Sequence, residues 1–374
     1  MPRIDYGKVV EEEGEVPFYK ETHDKILFFV NHSAPTEFWN IVRLVQGSDR
    51  RVLRLLKQMC AIGEISLKNK KLYPKKHISG MRVQACMSCQ GKLVSIEGLF
   101  KNILAELEVI WMRRPSPTFL FDQRPVTLET TVRRAAYLAF RGDLQGKDVV
   151  LVGDDDLTSL ALALTRLPRS VTVLDVDERL LSFIEAVSKE KKLDVRTKRC
   201  DLVKDFPVEC LSSFDVFMAD PTPSPEPFKL FISVGLRLLR QGGGRVGYVS
   251  FLPSHQSVST DFQRIFSDFN VVITDMIPRF TEYAFIPETY RASDMSLLKE
   301  FDSPNSRLSF HENLTRFETT DKTARLPVSV DLHSMLGKAT KRVLLKPELD
   351  PAYKRGEKDF VTLVASKLRR EIRA

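Results

Sequence analysis

A chain of 374 residues has room for about two or three domains. With 43% apolar and 28% charged residues it has material for a buried core, and no apolar run is long enough to span a bilayer as a helix. The net charge of +8 favours anionic partners only in a general way. The polar, mixed-charge N-terminus is expected to carry no export signal, and five cysteines, an odd number, imply reduced thiols and a cytoplasmic setting.

Taken in chain order, apolar periodicity predicts helices over Glu21–His32, Thr36–Gln46 and Asp49–Ala61. Ile62–Leu67 and Asn69–Pro74 read as two short strands joined by a Lys-Asn-Lys turn, which looks like the wing of a winged helix. Lys68, Lys70, Lys71, Lys75 and Lys76 suit phosphate contacts, but wing tips are commonly charged and solvated. No recognition-helix cluster of Arg and Asn stands out, so nucleic acid is the less favoured partner, behind dimerisation or the shaping of a substrate pocket. Cys86-Met-Ser-Cys89 is half of a zinc site at most and is read as a turn without metal. Cys60, Cys200 and Cys210 are isolated and read as small buried apolar residues.

A Pro-rich connector beginning at Arg113 separates an N-terminal domain, residues 1–112, from a second unit, residues 113–374. Thr127 is an N-cap signal for the helix that follows it. Asp122 and Gln123 precede that helix in an irregular segment placed to fold over a crevice as a lid, although composition alone favours ordinary linker polarity.

From Val149 onward strands alternate with helices. Val149–Val152, Val171–Leu174, the segment Asp194–Cys200 and Phe214–Ala219 read as strands, and Leu157–Leu167, Glu178–Glu190 and Phe228–Leu239 read as helices. That alternation predicts βαβ units and a parallel sheet, an α/β fold in which the strands' carboxyl ends line one crevice. Each strand runs into acid: Gly153-Asp154-Asp155-Asp156 after the first, then Asp175 with Asp177, then Asp201, then Asp220. A Gly-rich phosphate cradle is the usual occupant of the first turn, but three carboxylates would repel a pyrophosphate. The turn therefore reads as a site for a cation, a metal or hydroxyl groups. Any single Asp there also makes a good helix N-cap, the better reading for Asp156 or Asp177 taken alone.

The run Asp220-Pro-Thr-Pro-Ser-Pro-Glu226 stiffens the fourth strand end, because proline fixes the backbone and removes donors. A carboxylate there suits the handling of an amine nucleophile, which must shed a proton before it attacks. Beyond it, strands are expected at Arg245–Phe251 and Asn270–Pro278. Glu282, Tyr283, Phe285 and Tyr290 fall in an irregular stretch, either lining an acceptor path or packing as ordinary loop aromatics. The tail Lys354–Ala374 is charged with a helical pattern, a solvated face or an oligomer contact.

The residues Asp122-Gln123, Thr127, Arg133-Arg134, Gly142-Asp143-Leu144, Gly146-Lys147, Gly153-Asp-Asp-Asp-Leu-Thr-Ser159, Asp175-Val-Asp177-Glu-Arg179, Asp201 and Asp220-Pro221 together resemble the branched-chain polyamine synthases. The likeness is strong from about Phe119 to Gly247, and its triple-Asp run is far more specific than a generic nucleotide-binding turn. The resemblance implies a Rossmann-like, methyltransferase-type catalytic domain behind an N-terminal winged-helix-like α+β domain. It implies transfer of aminopropyl groups from decarboxylated S-adenosylmethionine, a co-substrate rather than a prosthetic group, to the internal nitrogen of spermidine. Methylthioadenosine is the by-product, and a homodimer is the expected assembly.

Carried over by position, the resemblance assigns the donor to Gly153, Asp154, Asp175, Asp177, Asp201, Leu202 and Gln123, with Asp175 on the ribose and Asp201 and Leu202 near the adenine. It puts Asp155, Asp156 and Asp220 at the reacting centre, with the proton acceptor either in the triple-Asp turn, where Asp155 is first choice, or at Asp220. Asp122, Asp156, Glu226 and Tyr283 are the candidates along the acceptor. The family tends to continue Asp-Pro with Pro and a short aromatic loop, whereas here Thr222-Pro-Ser-Pro follows, with no aromatic residue until Phe228. Two other classes compete, a methyltransferase acting on amino groups of nucleic acid or protein and a non-catalytic winged-helix regulator. Against the first, a methyl donor carries a carboxylate that three acids would repel, whereas the decarboxylated donor presents an ammonium.

Overall fold

The computed structural model describes residues 16–45, 49–75, 86, 88–118, 121–222, 224–251, 256–285, 292–302 and 308–326. Tyr290, Lys76 and the tail Lys354–Ala374 lie outside the described residues.

The N-terminal part runs α1 (Val16–Ser33), β1 (Thr36–Glu37), α2 (Phe38–Leu44), α3 (Asp49–Ala61), β2 (Ile65–Lys68) and β3 (Lys71–Pro74). The single helix expected over Thr36–Gln46 is shorter, because Thr36 and Glu37 pair with Leu72 and Lys71 of β3 instead. Sheet order is β1-β3-β2, with both pairings antiparallel. Gly63 ends α3 at φ +73, so the first strand of the hairpin starts at Ile65 rather than Ile62. At its tip Asn69 and Lys70 are both left-handed, as a tight hairpin turn requires. The unit buries Trp39, Ile41, Leu53 and Leu56 in one cluster.

After α4 (Leu99–Trp111) the chain enters the large sheet domain: α5 (Leu128–Phe140), β4 (Asp148–Val152), α6 (Thr158–Leu164), β5 (Ser170–Asp175), α7 (Glu178–Lys191), β6 (Val195–Arg199), β7 (Val216–Ala219), α8 (Pro225–Leu238), β8 (Val246–Phe251), α9 (Gln256–Asp268), β9 (Val272–Ala284), α10 (Ala292–Phe301) and β10 (Leu308–Glu318). The seven strands lie in the order β6-β5-β4-β7-β8-β10-β9. Numbered by position in the chain, that is 3-2-1-4-5-7-6, with β10 antiparallel to both neighbours and β4 through β8 parallel. This is the Rossmann-like sheet of methyltransferase type that the resemblance implied.

Alternation along β4 separates two cores. Val149 and Leu151 face a cluster with α4, α5, α6 and α7, while Val150 and Val152 face one with α8 and α9. Gly247 of β8 leaves room for the Phe317 ring of β10, whose Cζ would stand 2.0 Å from an added Cβ. Ile103, Leu107 and Ile110 of α4, which precede residue 113, belong to the sheet-domain core. Leu297, Leu298 and Phe301 of α10 pack into the N-terminal cluster instead.

Specific polar contacts tie the two parts together. His311 Nε2 of β10 lies 3.0 Å from the Val42 carbonyl and 2.7 Å from that of Val45, while Arg279 donates to Leu44 O at 3.0 Å. Arg54 of α3 pairs with Asp294 of α10 at 3.2 Å, so this face of α3 is covered from within the chain. Among the described residues, no helix is long and apolar enough to cross a membrane.

Candidate active site

The carboxyl ends of β4, β5 and β7 meet as the parallel sheet requires, and the acids behind them divide by what they already bind. Gly153 turns the chain at φ +77, a conformation that side chains resist, and Leu157 at φ 56 ends the turn. Asp154 points inward: its carboxylate accepts Ser159 N at 3.2 Å and Ser159 Oγ at 2.5 Å, which ties it to the first turn of α6. Asp156 accepts Val126 N at 2.8 Å and the Arg134 guanidinium at 2.5 Å. Asp155 differs from both: its Oδ2 is buried and has no hydrogen-bond partner among the described residues.

Arg134, on α5, is the hub. Its side chain is 2% exposed, and besides Asp156 it binds Asp220, Ser250 Oγ at 3.3 Å and Thr281 Oγ1 at 3.4 Å. Burial works against its charge, but Asp220 and Asp156 outweigh that and hold the guanidinium protonated. Asp220 accepts Arg134 on one oxygen and Tyr283 Oη, at 2.7 Å, on the other. Tyr283 is not in an irregular stretch, as expected from its sequence neighbourhood. It lies in β9, one residue before the strand's end at Ala284, and its ring stacks on Phe310 with centroids 4.2 Å apart. Glu282, beside it on β9, is held by Lys92 at 2.7 Å and Arg43 at 3.2 Å.

Asp175 accepts the backbone amides of Asp154 at 3.1 Å and Asp177 at 2.9 Å, so it braces both turns. Asp177 caps α7 through Arg179 N and also takes the Arg179 guanidinium and the Gln123 amide, at 2.7 Å and 3.0 Å on Oδ2. Burial alone would raise its carboxyl, but those donors win and keep it below the usual carboxylate range. Asp201 accepts Val203 N at 3.1 Å and pairs with Lys204 at 3.2 Å, while Leu202 packs on the α8–α9 core. Glu226 stands exposed in the first turn of α8.

The segment before α5 is a strap across this edge. Gln123 reaches Asp177 behind β5, Val126 N reaches Asp156 behind β4, and Asp122 accepts Thr222 Oγ1 behind β7 at 2.6 Å. Val126 also bridges to Tyr283, and Thr127 N donates to Glu282 O at 2.7 Å. The Thr222 hydroxyl anchors Asp122 there.

Charge is crowded here. Burial first, then neighbouring acids, pushes Asp154 up to about 8 and raises Asp155, Asp156 and Asp175 above their ordinary value. Burial likewise raises Asp122, although the Thr222 hydroxyl opposes it. Arg114, in the Pro-rich connector, lies within the field of Asp155, Asp156 and Asp154 and rests over the Trp111 ring at 4.3 Å. A site with more carboxyl groups than guanidinium groups has a deficit of positive charge, which a cationic ligand removes. Cys86 Sγ lies 3.2 Å from Ser88 Oγ, and among the described residues no group of three or more His, Cys, Asp or Glu is arranged to hold a metal ion.

Three residues of this site are absent from the sequence expectation: Arg134 as its hub, Arg114, and Glu312 of β10, whose Oε2 lies 3.1 Å from Tyr283 Oη. In the sequence Arg134 stands out only as one residue of the family-like motif. Glu312 carries no local signal at all, since β10 was not foreseen.

Sheet order defines a Rossmann-like fold of methyltransferase type, here with an acid-lined carboxyl edge. Residues 102–330 match the family model described as the branched-chain polyamine synthase A C-terminal domain. The chain is 35% identical over 298 residues to the N(4)-bis(aminopropyl)spermidine synthase of Thermococcus kodakarensis, covering 75% of this chain and 83% of that one. It is 33% identical over 288 residues to the enzyme of the same name from Methanocaldococcus jannaschii, covering 73% and 81%. The crystal structure of the branched-chain polyamine synthase from Thermus thermophilus, in complex with N4-aminopropylspermidine and 5'-methylthioadenosine, superposes with a TM-score of 0.65 at 27% identity, covering 86% of this chain and 98% of that one. This chain belongs to the branched-chain polyamine synthase family.

Proposed function

We propose that this protein transfers aminopropyl groups from decarboxylated S-adenosylmethionine to the internal nitrogen of spermidine and releases methylthioadenosine. The observation that carries the reading is Asp155, the acid of the triple turn whose buried Oδ2 has no hydrogen-bond partner among the described residues, set among carboxyl groups where a polycation is drawn in. The names of the relatives and the ligands of the Thermus thermophilus complex support the same chemistry.

The reaction asks little beyond placement and one proton acceptor. A secondary ammonium of the acceptor gives its proton to Asp155. The freed lone pair attacks the propyl carbon on sulfur, the carbon–sulfur bond breaks with its electron pair to sulfur, and a neutral thioether leaves. The nitrogen ends as a tertiary ammonium, and a second transfer to it repeats the same proton loss. Asp220, tied by Arg134 and Tyr283, serves as a fixed anion that orients the acceptor, and Asp156 holds Arg134 in place. Asp175, with Gly153, Asp154 and Asp177 in the turns around it, is assigned to the donor's ribose side, Asp201 and Leu202 to the adenine. Gln123 and Asp122 act through the strap, with Glu226 at the outer end of the acceptor path.

We also assign residues before α4 to a winged-helix-like unit that walls the acceptor side, and α4 to the catalytic domain, with a homodimer as the working assembly. Light scattering of the purified chain tests the assembly.

Mass spectrometry of spermidine incubated with the protein and either donor tests the function. Aminopropyl mass increments with the decarboxylated donor alone are expected. Methylation from ordinary S-adenosylmethionine, or no turnover with either donor, overturns it.

A further inference from the structure

Tyr283 Oη stands between two carboxyl groups, 2.7 Å from Asp220 Oδ1 and 3.1 Å from Glu312 Oε2. A phenol has one hydrogen to donate. Two ionised carboxylates cannot both be satisfied by it, so one of the pair must bring a proton of its own. Asp220 already receives the Arg134 guanidinium and retains some solvent access, its side chain being 15% exposed. Glu312 is 1% exposed, lies on β10 opposite Thr281 of β9, and has the Tyr283 hydroxyl as its side-chain hydrogen-bond partner among the described residues. The proton therefore belongs on Glu312, which donates to Tyr283 and turns the Tyr283 hydrogen toward Asp220. Stacking on Phe310 holds the ring, so the hydroxyl oxygen stays between these two carboxyl groups.

We propose that Glu312 is a positioning residue that carries its proton at neutral pH, aiming Tyr283 at Asp220 and so holding Asp220 as an oriented anchor for the acceptor's ammonium. The inference rests on the aminopropyl-transfer reading. The charged and titratable groups facing Glu312 are Tyr283 from β9, Asp220 beyond β7, Arg134 from α5 and Asp156 beyond β4. Burial, followed by Asp220, raises the Glu312 carboxyl well above its ordinary value, and Arg134 does not reverse that. In the wild type, ionisation of Glu312 at alkaline pH sets two anions against one hydrogen and loosens Asp220.

The test is E312Q, whose amide donates to Tyr283 as the acid does but cannot lose a proton. The expected result is kcat near the wild-type value at neutral pH. The alkaline limb of kcat/KM for spermidine should lie about one pH unit or more higher, equivalent to about 1.4 kcal/mol between protonation states. Superposed profiles overturn the proposal, and so does a loss of about a hundredfold in kcat at neutral pH, which would mean that the carboxylate form is needed. Should E312Q not fold, Y283F carries the test: cutting the link must raise KM for spermidine and shift the alkaline limb, and an unchanged profile overturns the proposal. A wild type that transfers nothing overturns the aminopropyl reading and this inference with it. An active wild type with superposed profiles overturns this inference alone.

Discussion

Ser159 donates both its backbone amide and its hydroxyl to Asp154, the hydroxyl at 2.5 Å, so the first acid of the triple turn is tied to the first turn of α6, while Oδ2 of its neighbour Asp155 has no such partner among the described residues. Adjacent residues of identical chemistry thus have different work. Asp154→Ala removes the bonds to that turn and is expected to destabilise the fold by about 0.5–2 kcal/mol. Asp155→Asn removes the proton acceptor and is expected to lower kcat by about 10²–10⁴-fold with the melting temperature held or raised. Calorimetry and initial rates on both variants decide it; an Asp155→Asn enzyme with full activity would sink the assignment.

Arg134 neutralises Asp156 and Asp220 inside the protein. Arg134→Met leaves two carboxylates facing each other, and the loss of one partner from a buried ion pair costs about 3–5 kcal/mol. Denaturant unfolding should show a loss of that size. A variant as stable as the wild type would mean that the two acids take up protons at little cost.

Asp49, at the start of α3, is 3% exposed with one oxygen unpartnered among the described residues, and burial pushes its carboxyl up to about 8. A carboxyl with a raised folded-state value holds its proton in the folded protein while the unfolded chain has released it. Its presence therefore costs stability progressively as pH climbs from about 4 to about 8. Asp49→Asn is free of that penalty. Its melting temperature relative to wild type should rise across that window and level off above it, and a difference that is flat with pH would refute the assignment.

Gly247 exists because Phe317 needs the space, an added Cβ meeting the ring at 2.0 Å. Gly247→Ala is expected to cost about 1–3 kcal/mol by overpacking. Urea midpoints should show Phe317→Leu recovering part of that loss when combined with Gly247→Ala, and strictly additive losses would rule out the clash as its cause.

Much of this architecture is legible in the chain. The alternation from Val149 to Leu239 carries the parallel half of the sheet, and Thr127 caps α5 by accepting Thr130 N as its position foretold. The strand pair β9 and β10 was harder. The β9 strand runs past Pro278 to Ala284 with Phe280, Thr281, Glu282 and Tyr283 all buried, so alternation is lost there, and β10 is recognisable only as its partner, with register shifts that blur the period-2 pattern. The helix expected over Leu157–Leu167 stops at Leu164 in the α-helical form, where the Thr165 hydroxyl turns back onto Leu162 O at 2.6 Å.

The acids behind β4, β5 and β7 were visible from sequence alone, because a strand and the turn that ends it are neighbours in the chain and an apolar run announces where the turn falls. Which of those acids is capped, paired or left open was decided by the tertiary structure. Arg134 reaches Asp220 across 86 positions, and Glu312 meets Tyr283 across 29. A carboxyl group's charge and role depend on burial and on the donors that face it, and folding brings those donors from segments whose local patterns say nothing of the site.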